Sequence, residues 1–182
     1  MNMQSFKELL RSFFRHPETR FILPSAILYC GIMIFSGSLI MFGFGVAPAL
    51  FKVMPTKDLA GMANQAILNR MVILQGIGLC IMAGSLMMLR QWSKAEVRTS
   101  MWFVFGLILL VYVLYGIVIQ HTMFSLQPLI GSFDAPSPNG VDALNQFRSL
   151  HRLYSFLSSF AALLAFAMIV LHMHAHRTLK HD

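Results

Sequence analysis

The chain has 182 residues, of which 57% are hydrophobic and only 12% are charged, and its mean hydropathy is +0.66. A soluble domain of this size cannot bury its four long charge-free stretches, so the composition indicates an integral membrane protein and leaves no room for a soluble catalytic domain. The formal charge of +7 does not indicate nucleic-acid binding, because the basic residues lie at the ends of the apolar stretches and form no basic stripe.

Residues 1–20 precede the first apolar stretch and predict a short amphipathic helix on the cytoplasmic face of a membrane. Apolar and basic residues alternate there at helical spacing: Phe6, Lys7, Leu9, Leu10, Arg11, Phe13, Phe14 and Arg15. We expect Pro17 to end this helix. The alternative is a solvated, frayed tail.

The four charge-free stretches are Phe21–Phe51, Met71–Leu89, Met101–Ile119 and Leu153–Leu171. Because about 20 helical residues cross a bilayer core, they predict transmembrane helices over about 22–51, 67–90, 100–121 and 147–171. The predicted fold is therefore all-α. We expect a four-helix antiparallel bundle in residues 21–172, followed by a cytoplasmic His-rich tail in residues 173–182.

The flanking charges predict the orientation of these helices. Nine of the 14 Lys and Arg residues fall on the side that holds both termini and the connection between the second and third helices. The positive-inside rule therefore places both termini in the cytoplasm of a multi-pass inner-membrane protein.

Small residues at helical spacing predict where the helices pack closely. They are Gly31, Ser38, Gly45 and Pro48 in the first stretch, Gly76, Cys80 and Gly84 in the second, and Ser155, Ser158, Ala162 and Ala165 in the fourth. A substrate path along these stripes is the alternative interpretation. Between the third and fourth helices, residues 122–144 read as one long, turn-rich loop.

Polar residues gather at the outer ends of all the predicted helices. The candidate ligand-binding residues are Asn69, Arg70, Gln120, His121, Arg148, His151 and Arg152. Arg offers a planar fork of donors, and helix N-termini add positive dipole ends, so this set suits an anionic small molecule or a lipid headgroup. The alternative is that these side chains only reach towards water at a membrane boundary.

Histidine positions raise a second possibility. His121 and His151 lie on the outer side and His16 and His172 on the inner side, so each leaflet has one pair able to ligate a haem b. In the tail, His172, His174 and His176 are weak candidates for copper or another metal. Boundary histidines are common without any cofactor, so we predict none.

Two segments carry a family resemblance. Residues 43–55 (GFGVAPALFKVMP), with the pairs Ala60-Gly61 and Asn69-Arg70, and residues 147–154 (FRSLHRLY) resemble a bacterial four-helix membrane family related to transmembrane protein 205. Copper-resistance D-type membrane proteins are more distantly similar. The resemblance implies the fold, a membrane location and an outer site at Pro48, Phe51, Arg70 and His151, but no reaction.

No catalytic motif was found: the chain lacks GxSxG, CxxC, HExxH and a phosphate-binding glycine loop. The sequence therefore favours a non-enzymatic membrane protein that acts in transport, in lipid or small-anion binding, or as an assembly accessory. The alternatives are a haem- or copper-binding redox protein that uses His121 and His151, and a structural subunit of a larger membrane complex.

Overall fold

The computed structural model describes residues 17–92 and 99–178. Within these residues helices are the only regular secondary structure. The helices are α1 (Pro17–Met41), α2 (Ala47–Val53), α3 (Lys57–Trp92), α4 (Thr99–Tyr112), α5 (Gln120–Ile130) and α6 (Val141–Thr178). Most of the expected amphipathic segment 1–20 lies outside the described residues.

Four helical stretches are long and apolar enough to cross a membrane. We call them span 1 (Phe21–Val53), span 2 (Lys57–Gln91), span 3 (Thr99–Ile130) and span 4 (Pro138–His174). Much of their apolar surface faces outward, including Phe44, Phe103 and Phe166, which are 86%, 71% and 64% exposed.

Spans 1 and 3 each contain a π-helical segment that sequence periodicity did not predict. Phe42–Val46 joins α1 to α2, and Val113–Ile119 joins α4 to α5. Such segments widen a helix locally and occur often at functional sites.

The prediction of one long loop over residues 122–144 is wrong. Span 3 continues as helix through Pro128 to Ile130, and Gly131 ends it with a φ of 77°. Span 4 starts with a 3₁₀ turn at Pro138–Gly140, where the Ser137 hydroxyl accepts from the Gly140 N–H. Pro128 removes only one helical hydrogen bond near the helix end, so the helix continues and the irregular connection is residues 131–137.

Spans 1 and 2 make a tight backbone crossing at Gly31 and Gly78. A Cβ on Gly31 would lie 2.9 Å from the Gly78 carbonyl oxygen, and one on Gly78 would lie 3.0 Å from the Gly31 carbonyl oxygen. Of the small residues expected at interfaces, Gly31 is therefore at a crossing. Gly45 and Gly84 are not, because an added Cβ there would have no atom within 4 Å.

The other small residues take different roles. A Cβ on Gly76 would lie 3.2 Å from the Tyr112 hydroxyl, and the Ser38 hydroxyl donates to the Phe35 carbonyl of its own helix. In span 4 the fully buried small residues are Ala161 and Ala165, whereas Ser155 is exposed. Of the expected stripe, Ala165 is therefore packed in the core, Ser158 and Ala162 are half-buried, and Ser155 is not packed.

Two contacts define one end of the structure, which we call the terminal end. The Ser85 hydroxyl donates a 2.6 Å hydrogen bond to the Pro24 carbonyl, joining the end of span 2 to the start of span 1. The His172 Nε2 lies 2.9 Å from the Ser25 hydroxyl, joining span 4 to span 1. The opposite end, with the connections at residues 54–56 and 131–137, is the loop end.

Candidate functional site

A cavity of about 580 Å³ lies among all four spans at the loop end. Its lining residues are Leu39, Phe42, Gly43, Ala47, Pro48 and Phe51 in span 1; Lys57, Gly61, Asn64, Gln65, Leu68 and Met71 in span 2; Met123, Phe124 and Gln127 in span 3; Phe133 in the loop; and Leu144, Phe147, Arg148, His151, Tyr154, Ser155 and Ser158 in span 4. The π-helical segment of span 1 contributes two of these residues to the wall.

The part of span 2 that lines the cavity changes from charged to apolar along one helical face. Lys57, Gly61, Asn64, Leu68 and Met71 follow one another at intervals of three and four residues. At 1.5 Å per residue the lining covers about 21 Å from Lys57 to Met71. The cationic end is at the loops and the apolar end lies deeper among the helices.

The side chains of the lining that can carry a charge near neutral pH are all basic. Lys57 and Arg148 line the cavity together with His151, and the lining includes no carboxylate among the described residues. The His151 ring stacks on Phe147 with centroids 6.3 Å apart and planes at 4°. Phe147 in turn packs edge-on against Phe133, so aromatic contacts hold this wall in place.

The lining of the cavity includes exposed residues from three spans. The exposed lining residues are Gly43, Pro48 and Phe51 in span 1, Lys57 in span 2, and Arg148, His151 and Ser155 in span 4. Spans 1 and 4 also carry exposed apolar side chains outside the cavity, among them Phe44 and Phe156.

The structure divides the seven candidate ligand-binding residues into three groups. Arg148 and His151 line the cavity. Asn69 and Gln120 instead bond to each other, with Gln120 Nε2 donating to Asn69 Oδ1 at 3.1 Å. Arg70, His121 and Arg152 are exposed and are not among the lining residues; the Arg152 guanidinium lies 3.4 Å from the Ser149 hydroxyl.

Pro48, Phe51 and His151, which the family resemblance implied as an outer site together with Arg70, line the same cavity. Sequence reasoning missed Lys57 and Asn64 as site residues. The spacing of Asn64 to Leu68 and Met71 was the available signal, because it places the amide on the face that continues into the apolar part of span 2.

Further from the loop end than the cavity, a polar cluster joins spans 2 and 3. The Tyr115 hydroxyl donates to Gln75 Oε1 at 2.8 Å, and the Tyr112 hydroxyl donates to the Val72 carbonyl at 2.9 Å. Tyr154, a lining residue, packs edge-on against Tyr115 with centroids 5.4 Å apart. A glutamine in the middle of an otherwise apolar stretch was the sequence signal for this cluster.

The loop over residues 131–137 is held against the start of span 2. The Asp58 carboxylate accepts from the Ser132 hydroxyl at 2.7 Å and from the Phe133 N–H at 2.6 Å. The Asp58 N–H donates back to the Asp134 carboxylate at 3.3 Å. Because Phe133 lines the cavity, these bonds also position one of its walls.

The candidate metal-binding histidines that the structure describes differ in their surroundings. His172 is 3% exposed, stacks on Phe21 at 5.3 Å, meets Tyr29 edge-on, and borders a smaller pocket of about 390 Å³. His174 is exposed, and the side chain of His176 lies outside the described residues, as does His16. In residues 17–92 and 99–178 no three His, Cys, Asp or Glu side chains form a group that could hold a metal ion.

No protein-family model matches this chain, and neither a curated protein nor a solved structure matches it.

Proposed function

We propose that this protein is a multi-pass membrane protein that binds an anionic lipid in the cavity at its loop end. The observation that carries the proposal is a cavity of about 580 Å³ with apolar walls and a cationic rim. Ligand sites commonly have volumes of about 300–1,000 Å³, so this space suits a headgroup and the first part of an acyl chain.

The four spans support a location in a membrane. Their length and apolar composition suit a bilayer core, and the antiparallel order predicted from the sequence agrees with the contacts at the terminal end. With the excess of basic residues on the cytoplasmic side, the cavity lies at the outer surface of the membrane.

The charges support an anionic ligand. Lys57, Arg148 and His151 are the ionisable side chains of the lining apart from Tyr154, and no carboxylate among the described residues lines the cavity to repel an anion. Arg148 can present two parallel donors to a phosphate, and Lys57 adds a mobile positive charge at the helix start.

The shape supports a lipid over a soluble anion. Most of the lining is aliphatic or aromatic, including Leu39, Phe42, Leu68, Met71 and Met123, and such a surface offers little to a small hydrated ion. The exposed lining residues of spans 1 and 4 would give an acyl chain a route to the bilayer. Lipid binding of this kind needs no catalytic residue.

The test is a titration of the purified full-length chain in detergent, followed by native mass spectrometry and thermal unfolding. We expect phosphatidylglycerol to bind saturably and to raise the unfolding temperature, and phosphatidylcholine with the same acyl chains to have a much smaller effect. The double variant Lys57→Gln/Arg148→Gln should bind phosphatidylglycerol at least about tenfold more weakly, because it loses two charged contacts.

The matched control is Arg70→Gln/Arg152→Gln, which removes two exposed cations from the same end of the molecule without touching the cavity lining. It should bind like the wild type. Equal losses in the two double variants, or equal binding of phosphatidylglycerol and phosphatidylcholine, would show that the cavity is not the site or that charge does not select the ligand.

A further inference from the structure

One carboxylate joins the two halves of the structure at the loop end. We call spans 1 and 2 hairpin 1, and spans 3 and 4 hairpin 2. Asp58 of hairpin 1 accepts from the Ser132 hydroxyl at 2.7 Å and from the Phe133 N–H at 2.6 Å. Its own N–H donates to the Asp134 carboxylate at 3.3 Å. We call these hydrogen bonds the Asp58 clasp, and they connect the start of span 2 to the tip of hairpin 2.

The clasp stands apart from the other hydrogen bonds between the hairpins. In residues 17–92 and 99–178 the nearest of these along span 2 is the bond from Gln120 to Asn69. At 1.5 Å per residue, Asn69 lies about 17 Å from Asp58 along the helix. Asn64 and Leu68 lie between them and line the cavity. Over this length the two hairpins face each other across the cavity, so the clasp fastens them at its loop-end edge.

The tip of hairpin 2 has an apolar cluster of its own. Its buried residues are Leu126, Ile130, Ala143 and Leu144, and Phe133 packs against them. None of these four buried residues belongs to the main core, and Phe147 and Leu150 pack against both clusters. A displacement of the tip therefore carries Phe133, which lines the cavity, along with it.

Span 3 has a bending point just before this tip. The π-helical segment Val113–Ile119 interrupts the regular hydrogen-bond ladder of the helix, and α5 begins at Gln120. Sharp kinks in helices occur at such segments. The bonds of the clasp are exposed or only partly buried, so water competes with them and local opening needs little free energy. The tip thus has both a fastener and a hinge.

Building on the proposed function, we infer that the Asp58 clasp is a gate at the loop-end edge of the cavity. While the clasp is closed, Phe133 is held in the cavity wall. When its bonds break, the tip of hairpin 2 bends away from span 2 and the cavity widens towards the water. Asp58 itself does not line the cavity, so it acts on the rate of ligand exchange and not through contact with the ligand.

The first test measures the opening without any lipid. In a Cys30→Ala/Cys80→Ala background, which removes both free thiols, Leu68→Cys places one thiol at a buried position of the cavity lining. We expect a water-soluble maleimide to label it at least about tenfold faster when Asp58→Ala is added, because hydrogen bonds to a charged acceptor no longer oppose opening. Gln65→Cys is a second lining position, should Leu68→Cys disturb folding.

Two matched variants accompany Asp58→Ala. Ser132→Ala breaks one bond of the clasp without changing the charge, so it should speed labelling by a smaller factor. Asp142→Ala removes a carboxylate from the first turn of α6, outside both the clasp and the cavity lining. It should label at the wild-type rate.

The second test follows the binding and release of a fluorescent short-chain phosphatidylglycerol by the purified full-length chain in detergent. We expect Asp58→Ala to speed both steps about tenfold and to change the dissociation constant by less than about threefold, because a gate lowers the barrier in both directions. Ser132→Ala should act in the same direction, which separates gating from the loss of a negative charge.

The outcomes separate the two proposals. Labelling of Asp58→Ala at the wild-type rate, or labelling accelerated equally in Asp142→Ala, overturns the gate and leaves anionic lipid binding standing. Faster labelling with unchanged lipid exchange shows that the lipid enters elsewhere and also overturns the gate. A wild-type chain that does not bind phosphatidylglycerol saturably overturns the proposed function, whereas the labelling rates still decide whether the clasp opens the cavity.

Discussion

The Tyr115 hydroxyl of span 3 donates a 2.8 Å hydrogen bond to Gln75 Oε1 of span 2, and both side chains are fully buried. The Tyr115 ring also packs edge-on against Tyr112 of its own span and Tyr154 of span 4, with centroids 6.0 and 5.4 Å apart. In an apolar interior a directional bond fixes how two helices align, because apolar contacts alone tolerate sliding.

Removing the Tyr115–Gln75 bond should destabilise the fold in a non-additive way. Tyr115→Phe leaves the Gln75 amide without its partner, and Gln75→Leu leaves the Tyr115 hydroxyl without one. We expect the double variant to be less destabilised than the sum of the single variants, with a coupling of about 0.6–1.7 kcal/mol. Reversible denaturant unfolding in detergent measures it, and additive effects would contradict a specific bond.

The crossing at Gly31 and Gly78 should not tolerate a methyl group. In Gly31→Ala the new Cβ would lie 2.8 Å from Met82 Cγ and 2.9 Å from the Gly78 carbonyl oxygen, so spans 1 and 2 must separate. We expect a loss of about 1–3 kcal/mol in unfolding free energy. The matched control Gly84→Ala has open space and should be neutral or stabilising by up to about 1 kcal/mol. Similar losses in both would refute the crossing.

Asp58 should control the order of the loop over residues 131–137. Asp58→Ala removes the acceptor of the Ser132 hydroxyl and the Phe133 N–H, so the Phe133 amide should exchange its hydrogen faster. Hydrogen exchange read by mass spectrometry checks this. Asp142→Ala is the control, because Asp142 also lies in the first turn of its helix. If exchange rises equally in both variants, the effect comes from the helix terminus and not from the bonds to the loop.

His172 should behave as a packing residue at the terminal end. His172→Ala removes a buried ring that stacks on Phe21 and bonds to Ser25, and it enlarges the adjacent pocket. We expect a loss of about 2–5 kcal/mol in unfolding free energy, the range for large buried side chains cut to alanine. His174→Ala, on an exposed neighbour, should change the stability by less than about 0.5 kcal/mol. Equal effects would argue against the buried position.

The orientation can be tested with reporter fusions. If spans 2 and 3 cross the membrane and the basic residues face the cytoplasm, reporters fused after Lys94 and after Pro136 should report opposite sides, with Lys94 cytoplasmic. Reporters that place both positions in one compartment would overturn the topology.

The candidate site could be predicted only in part. The sequence allowed the grouping of Arg148 and His151 near Pro48 and Phe51 to be predicted, because these residues lie at helix ends that a four-helix arrangement brings together. The sequence did not allow the exclusion of Arg70 and Arg152 from the lining to be predicted. A rotation of the helix by one residue decides whether a side chain faces the cavity or the outside.

By itself the amino-acid sequence determined that the chain forms four long helices, since length and hydropathy are local properties that need no partner to be read. It also placed the basic residues from which the orientation is predicted. Only the tertiary structure decided which faces meet: Gly78 and not Gly84 at the crossing, Asn64 and Lys57 in the cavity wall, and helix instead of loop through Pro128. The physical reason is that these helices are apolar on nearly every face. The hydrophobic periodicity that separates buried from exposed faces in a soluble helix is therefore missing, and close packing makes the choice.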